Sequence, residues 1–402
     1  MISYEASLKQ LELLSINPLA TEKIFLSDAL GRILAEDIIA SENSPIAPTS
    51  AMDGYAIKVE DQLLGRIQML EHDNPAGARE IEEVLPGFCL KTFTGSLMPE
   101  GADALIPIEN VTVENSAIVI NTSVEEGFAV RPIAESFSKG QVLIKRGTKI
   151  GFAEVGVMAS LNVVMAPVVI QPRVGVLSTG SEVLDLGEQA THASQIRSSN
   201  NYTLAALSTQ SGALTQQLGV VKDDKASITK AFLNALDASD IVVTTGGVSV
   251  GDYDFVKDII PELGAEVVFK GVSIKPGQHI MLAQKGNKFI VALPGFAYSS
   301  TVTFILYVLP IIARLLGQKE VVEVVEATLT QDFNKRAKKT EFTACNIHFN
   351  NGRYEVDFVD KKIGSSAILT NMLGVCALLM TGETDSNLSV GEKVKVLNLQ
   401  DL

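Results

Sequence analysis

The sequence predicts a multidomain α/β protein: a doubly wound, mostly parallel α/β domain preceded by a β-rich region and followed by a small β domain. Three observations carry this. At 402 residues the chain is too long for a single ordinary core, so two to four domains are expected. From Arg173 onward short apolar strands alternate with amphipathic helices, the pattern of a parallel sheet covered on both faces. Before Arg173 and after about Glu320 that alternation is replaced by short strands and Gly-Pro punctuation such as Pro86-Gly87, Pro99-Glu100-Gly101 and Lys139-Gly140.

Within the α/β stretch, Arg173 to Leu177 reads as a strand, Ser199 to Gln210 as a helix ended by Gly212, and Leu214 to Val221 as a second strand. Asp223 and Asp224 are placed to cap a helix whose Ile228, Phe232, Ala235 and Leu236 share one face. Asp240 to Thr244 is a further strand, a helix begins near Asp254, and Val267 to Lys270 is a strand. A hairpin is predicted from Ile280 to Ala283 and Phe289 to Leu293, joined at Lys285-Gly286-Asn287. After Pro294-Gly295 comes a long helix stopped at Gly317. Its uncharged stretch from Ala297 to Ala313 contains several hydroxyl residues and falls short of a membrane span, so it is expected to be buried. Near the end, Asn350-Asn351-Gly352 marks a hairpin turn.

Composition narrows the function. With 46% hydrophobic and 20% charged residues the chain is globular. The net charge of −14 argues against nucleic acid or an anionic membrane as partner, since both need a cationic footprint. An anionic small ligand would have to be held locally, by backbone N–H groups and a few basic side chains. Cys89, Cys345 and Cys376 form neither a disulfide framework nor a zinc motif and read as buried thiols of a reducing, cytoplasmic compartment. His72, His192, His279 and His348 lack metal-ligand spacing, and the N-terminus lacks a signal-peptide core.

Three apolar strands end in Gly-rich turns: Ser178-Thr179-Gly180-Ser181-Glu182, Thr244-Thr245-Gly246-Gly247-Val248-Ser249 and Leu293-Pro294-Gly295. Loops at the carboxyl ends of strands form the ligand crevice of an open α/β sheet. Glycine there lets N–H groups approach phosphate oxygens, and helix N-termini add positive potential. Three such loops in one unit point to a phosphorylated, nucleotide-like ligand, although tight turns needing positive φ would explain each one singly. Lys275-Pro276-Gly277 adds a cation near the same edge. Glu182, Asp252 and Asp254 are placed either to hold a divalent cation on phosphate oxygens or to cap helices; spacing alone leaves both open. Two further stretches, Ala51 to Ala56 and Phe93 to Asp103, are turns of small and polar residues. They leave open whether Asp53 is a catalytic acid or an Asx turn residue.

Together these segments closely resemble the molybdopterin molybdenumtransferase family, also called MoeA and found as the gephyrin E domain. In order, the resemblance covers MDGYA at Met52, TGSLMPEGADALIPIE at Thr94, STGSEVL at Ser178, QIRSSN at Gln195, TTGGVSVGDYDFVK at Thr244, IKPG at Ile274 and ALPG at Ala292. It implies four domains: domain I at 1–42 and 138–172, with its first helix able to pack on domain III; domain II inserted at 43–137; the molybdopterin-binding α/β domain III at 173–318; and a β-barrel domain IV at 319–402. It also implies a homodimer with a site shared between domain III of one subunit and domain II of the other. The implied substrates are adenylylated molybdopterin and molybdate, and AMP is released with the help of a divalent cation such as Mg²⁺. A molybdopterin adenylyltransferase and other proteins of the cofactor pathway are the implied partners, without nucleic acid or membrane.

By resemblance, Asp53, Thr94, Glu182 and Asp254 are the catalytic positions, with Glu182 and Asp254 toward the metal. Thr179, Gly180, Asn200, Gly246, Gly247, Ser249, Lys275, Gly277, Pro294 and Gly295 are the ligand-binding ones. Ser136, Ser198, Gln278, Phe296 and Ala297 depart from residues the family usually carries: Asp, Asp, a second Lys, and Asn-Pro. Two alternatives are a related adenylyltransferase, which would lack the MDGYA and TGSLMPEG region, and a non-catalytic scaffold protein, against which the retained carboxylates count.

Overall fold

Alternation of strand and helix after Arg173 produces a six-stranded sheet whose two faces carry different cores. The structure is a computed structural model and describes residues 1–248, 254–319 and 322–400. The chain divides into two compact units, Met1–Ala35 with Met165–Leu402, and Glu36–Val164.

The larger unit begins with helix α1 (Tyr4–Leu13), capped by Ser3, whose hydroxyl accepts from the Ala6 N–H. The α/β region then runs β1 (Arg173–Thr179), α2 (Ser199–Gln210), β2 (Leu214–Val221), α3 (Lys225–Ala238), β3 (Ile241–Thr245), α4 (Val256–Glu262), β4 (Glu266–Lys270), β5 (Met281–Lys285), β6 (Lys288–Leu293) and α5 (Ala297–Leu315). In space the order is β2-β1-β3-β6-β5-β4, with β2, β1, β3 and β6 parallel and the β5 hairpin strand running against its neighbours. The expected mostly parallel, doubly wound sheet is therefore present. The β5–β6 turn at Gly286 has φ of +60°, which suits glycine in a two-residue hairpin loop.

Side chains alternate across each strand, so successive residues feed opposite layers. Val174, Val176, Ile241, Val243, Phe289 and Val291 face α2 and α5, whereas Leu177, Val242, Ile290 and Ala292 face α3 and α4. The expected face of α3 is the buried one: Ile228, Phe232, Ala235 and Leu236. Asp224 caps α3 through the Ser227 N–H, but Asp223 does not share that role. Its carboxylate instead accepts from the Ser181 N–H at 2.9 Å, tying the end of β2 to the loop after β1.

Helix α5 spans 19 residues with mean hydropathy 1.5, so it is long and apolar enough to cross a bilayer, contrary to the length argument from sequence. It is nevertheless the central core helix, with 89% of its most apolar window buried. Three of its hydroxyls bond within the helix itself: Ser300 and Thr301 donate to the Ala297 carbonyl and Thr303 to that of Ser299. Pro310 cannot donate to the helical ladder, and the turn before it widens to a π segment, Phe304–Val308, with the Leu309 N–H bonded to Phe304 O. Helix α1 closes over this region. Ser7 and Tyr307 hydroxyls lie 2.7 Å apart, and the Arg314 guanidinium donates to the Leu11 and Leu14 carbonyls at the α1 C-terminus.

After α5 the chain forms a closed five-stranded barrel from Glu323–Leu329, Thr340–Asn350, Arg353–Asp357, Cys376–Thr381 and Lys393–Asn398. The expected hairpin turn is there, with Asn351 and Gly352 both at positive φ. Ile274–Lys275 adds a parallel strand to the start of Thr340–Asn350 and so joins the α/β region to the barrel.

The smaller unit contains a six-stranded sheet in the order Ala104–Pro107, Gly54–Ile57, Phe88–Thr92, Arg66–Met69, Ala117–Ile120, Val111–Glu114. Tyr55, Ile57, Ile67, Cys89, Ala104, Ile106 and Ile118 form its core. Gly54 is required by packing, since a side chain there would collide with the Ile106 carbonyl. All three cysteines are free and buried, and burial pushes the Cys89 thiol up to about 12, leaving it protonated and unreactive.

The most consequential core residue of the α3 layer is Phe232, fully buried between the sheet and α4. Phe232→Ala is expected to destabilise the larger unit by about 3–5 kcal/mol. Chemical denaturation followed by far-UV circular dichroism checks this; a loss under about 1 kcal/mol would mean the layer collapses around the vacancy.

Candidate functional site

The carboxyl ends of β1, β3 and β6 lie side by side, so the three Gly-rich turns predicted from sequence converge. They line a cavity of about 700 Å³ with the N-terminus of α2, and the lining includes Thr179, Gly180, Glu182, Asn200, Gly246, Gly247, Asp254, Pro294 and Gly295. Nine of the expected positions are thus in one place. Ser249 and Asp252 lie outside the described residues.

The glycines permit an approach that any side chain would block. Gly246 and Gly247 have φ of +91° and +69°, and a Cβ on Gly246 would lie 2.7 Å from the Thr179 carbonyl oxygen. On Gly247 it would lie 2.7 Å from Val256. The turn explanation left open by sequence therefore holds here as well, and replacing Gly247 by a β-branched residue would strain the loop whether or not ligand is bound. Hydrogen bonds fix the other two loops. Ser178 Oγ donates to Asn201 at 2.6 Å and pairs with Thr245 Oγ1 at 2.9 Å, while Asn200 Nδ2 donates to the Gly295 carbonyl at 2.8 Å.

Glu182 is not a helix cap, which closes one of the alternatives raised by spacing for that residue. After β1 the chain forms a short two-stranded ribbon, Val183–Leu184 with Ile196–Arg197, so no helix begins at Glu182. The Glu182 carboxylate instead lies over Gly180, both oxygens 3.1 Å from where a Cβ would sit. For α4 the N-cap position is Phe255, and Asp254 lines the cavity. At the α2 N-cap, Ser198 is 4% exposed and its Oγ has no partner among the described residues, a buried polar atom at the cavity wall.

Lys275 and Gly277 are placed differently. They line a second cavity of about 350 Å³, between the 274–279 turn, α5 and the barrel, which shares His279, Pro294 and Phe296 with the first. Lys275 Nζ lies 3.4 Å from Glu341, a buried barrel carboxylate. Gly277, at φ of +101°, passes so close to Thr303 that no side chain fits. Phe296 is 62% exposed at the rim common to both cavities.

Asp53 and Thr94 belong to the smaller unit, 41 residues apart in sequence, and are bonded to each other. Asp53 Oδ1 accepts from the Thr94 hydroxyl at 2.7 Å and from its N–H at 2.8 Å. These bonds, the hydroxyl first, hold the Asp53 carboxyl below its usual range, so it is ionised at neutral pH and its Oδ2 is left for other chemistry. A folded-state value lowered in this way stabilises the two-loop contact at ordinary pH, and that contribution is lost only on acidification through the carboxylate range.

Sequence reasoning passed over Arg197, Asp223 and His279, which also line the cavities. Arg197 lies within the QIRSSN segment and was legible there; His279 follows the IKPG turn and carries no spacing signal. Among the described residues no group of three or more His, Cys, Asp or Glu side chains forms a metal cage.

Comparison with known proteins agrees with this architecture. Residues 2–162 match the MoeA N-terminal region (domain I and II), and residues 175–314 match the probable molybdopterin binding domain. The molybdopterin molybdenumtransferase of Haemophilus influenzae is 33% identical over 396 residues, covering 98% of this chain and 97% of its own, and that of Nostoc sp. is 32% identical, covering 94% and 89%. A crystal structure of a molybdopterin biosynthesis moeA protein from Pyrococcus horikoshii OT3 superposes with a TM-score of 0.83 at 30% identity, covering 99% of this chain and 100% of that one. With such similarity sustained over nearly its whole length, this chain belongs to the molybdopterin molybdenumtransferase family, enzymes of molybdenum cofactor biosynthesis.

Proposed function

We propose that this chain cleaves the phosphoanhydride of adenylylated molybdopterin, releases AMP and inserts molybdenum from molybdate at the dithiolene. The observation that carries the reading is the cavity where three glycine turns, the α2 N-terminus and two carboxylates meet. Backbone N–H groups and the helix end suit the phosphates, and 700 Å³ accommodates a nucleotide-sized ligand.

Glu182 and Asp254 fit a Mg²⁺ ion. Two carboxylates without a larger protein cage match a hard cation that completes its shell with water and substrate phosphates. When bound, that ion neutralises charge developing on the phosphoanhydride oxygens. The chain's own contribution is positional. The N–H groups of the loops orient the phosphates, the Asn200 bond to Gly295 fixes the turn beneath them, and the buried Ser198 Oγ offers a donor. Asp53, ionised and anchored through Oδ1, can take a proton at Oδ2. The retained carboxylates favour an enzyme over a scaffold protein. The reading includes the four-domain division, a homodimer, a cytoplasmic location and an upstream molybdopterin adenylyltransferase as substrate donor.

Reconstitution with adenylylated molybdopterin, molybdate and Mg²⁺ tests the reaction. Wild-type protein should release AMP, and Asp53→Asn should release it roughly 10²-fold more slowly in single turnover while binding the substrate nearly normally. Near-wild-type release from a folded Asp53→Asn protein, judged by its melting temperature, would remove Asp53 from the catalytic set.

Glu182→Gln should weaken Mn²⁺ binding in the presence of AMP about tenfold or more. Electron paramagnetic resonance titration reads this directly, and an unchanged isotherm would place the cation elsewhere. The homodimer is checked by light scattering at micromolar concentration, where a monomer mass would refute it.

A further inference from the structure

Helix α2 begins with an end that its own side chains do not close. Helices α1 and α3 are capped by Ser3 and Asp224, each accepting a first-turn N–H. At the α2 N-cap Ser198 makes no such bond, and the first turn of this 12-residue helix contains no acidic side chain. The N–H groups of Ser199, Asn200 and Asn201 therefore have no acceptor among the described residues. Ser198 is held in place by its own N–H, which donates to the Leu184 carbonyl at 2.8 Å, while its buried hydroxyl is unpartnered among the described residues at the wall of the larger cavity.

Beside it stands Arg197, the one Lys or Arg among the described residues that line this cavity, facing a lining that includes Glu182, Asp223 and Asp254. Its guanidinium is held without being neutralised. Nη1 donates to the Asp185 and Glu188 carbonyls, whereas the carboxylates of those two residues serve other partners. Asp185 accepts from the Tyr202 hydroxyl and the Leu186 N–H, each at 2.8 Å, and Glu188 accepts from the Asp185 N–H at 2.8 Å. The position of Arg197 is thus fixed by carbonyl dipoles, its charge is kept, and its Nε and Nη2 donors have no acceptor among the described residues.

We propose that the α2 N-terminus, the Ser198 hydroxyl and the Arg197 fork together form a phosphate subsite, created in this chain by serine at a position where the family usually carries Asp. An Asp at 198 would accept the first-turn N–H groups itself and set a negative charge beside Arg197. Serine leaves those N–H groups open, adds a hydroxyl donor and leaves the guanidinium uncompensated. A phosphate dianion matches all three, since its oxygens accept from N–H and O–H donors and pair with the planar fork of an arginine. The inference deepens the molybdopterin molybdenumtransferase reading and rests on it for the source of the phosphate. The phosphate of a bound nucleotide and free orthophosphate share this chemistry.

The test is titration calorimetry on the full chain with AMP, orthophosphate and adenosine in separate arms at fixed ionic strength. Ser198→Asp and Arg197→Met are each expected to weaken binding of a phosphate-bearing probe about tenfold or more, with adenosine affinity unchanged. Arg197→Lys, which keeps the charge and loses the fork, should lose less. Loss for AMP assigns the nucleotide phosphate, and loss for orthophosphate alone assigns the free ion. Because Ser198→Asp supplies a helix cap, its melting temperature should not fall, so weaker phosphate binding in a protein at least as stable as wild type separates the subsite from a folding defect. Unchanged AMP and orthophosphate isotherms in both variants overturn the proposal, as does adenosine affinity that falls in parallel with that of AMP. A wild-type protein that binds neither AMP nor orthophosphate overturns it too. AMP release from adenylylated molybdopterin is read separately, so a protein that binds phosphate through this helix end yet releases no AMP refutes the enzymatic reading and leaves this one standing.

Discussion

The approach of three backbone turns to within a methyl group of one another is the constraint on which the rest of the site depends. Gly246 lies against the Thr179 carbonyl, and its neighbour Gly247 lies against Val256. Such proximity requires β1 and β3 to be adjacent and parallel, with β6 beyond, which in turn requires the crossover helices to lie on both faces. The alternating cores on either side of the sheet are what hold those strand ends in register. Glycine is thus demanded by the fold as well as by ligand approach, and the two demands fall on the same atoms.

How a protein of net charge −14 can favour anions follows from the same arrangement. Partial charges of N–H groups act over a few ångströms inside a concave, partly dehydrated site, whereas the field of surface carboxylates is screened by salt and solvent. The basic residues near the two cavities are few and each is held: Arg197 by backbone carbonyls of Asp185 and Glu188, Lys275 by Glu341, Lys339 by Gln278. Fixed orientation compensates for small number.

Much of the α/β region was legible because its signals are local. The α2 and β2 boundaries follow from the apolar period and the Gly212 stop, the α3 face from its spacing, and the β5–β6 turn from Gly286. What sequence could not supply was long-range. The ribbon after β1 replaces an expected loop-to-helix passage, Asp223 turns from a cap into a tether for Ser181, and the Asp53–Thr94 bond joins turns 41 residues apart. The partition of Lys275 and Gly277 into a second cavity depends on where the barrel docks, and the partner of Lys275, Glu341, comes from a segment more than 60 residues later in the chain. Periodicity and capping rules carry no information at that separation.

Helix α5 has a consequence for how the chain can be made. A 19-residue apolar segment emerging alone from a ribosome resembles the stretch that membrane-insertion machinery recognises. Here every strand of the α/β sheet, and α1, whose Ser7 pairs with Tyr307, precedes α5 in the chain. The sheet face and α1 are therefore already synthesised when it appears, with the barrel contacts of Tyr298 left to follow, and vectorial folding can sequester most of the segment as soon as it is exposed. The order of elements along the chain thereby protects the protein from a fate that its most apolar helix would otherwise invite.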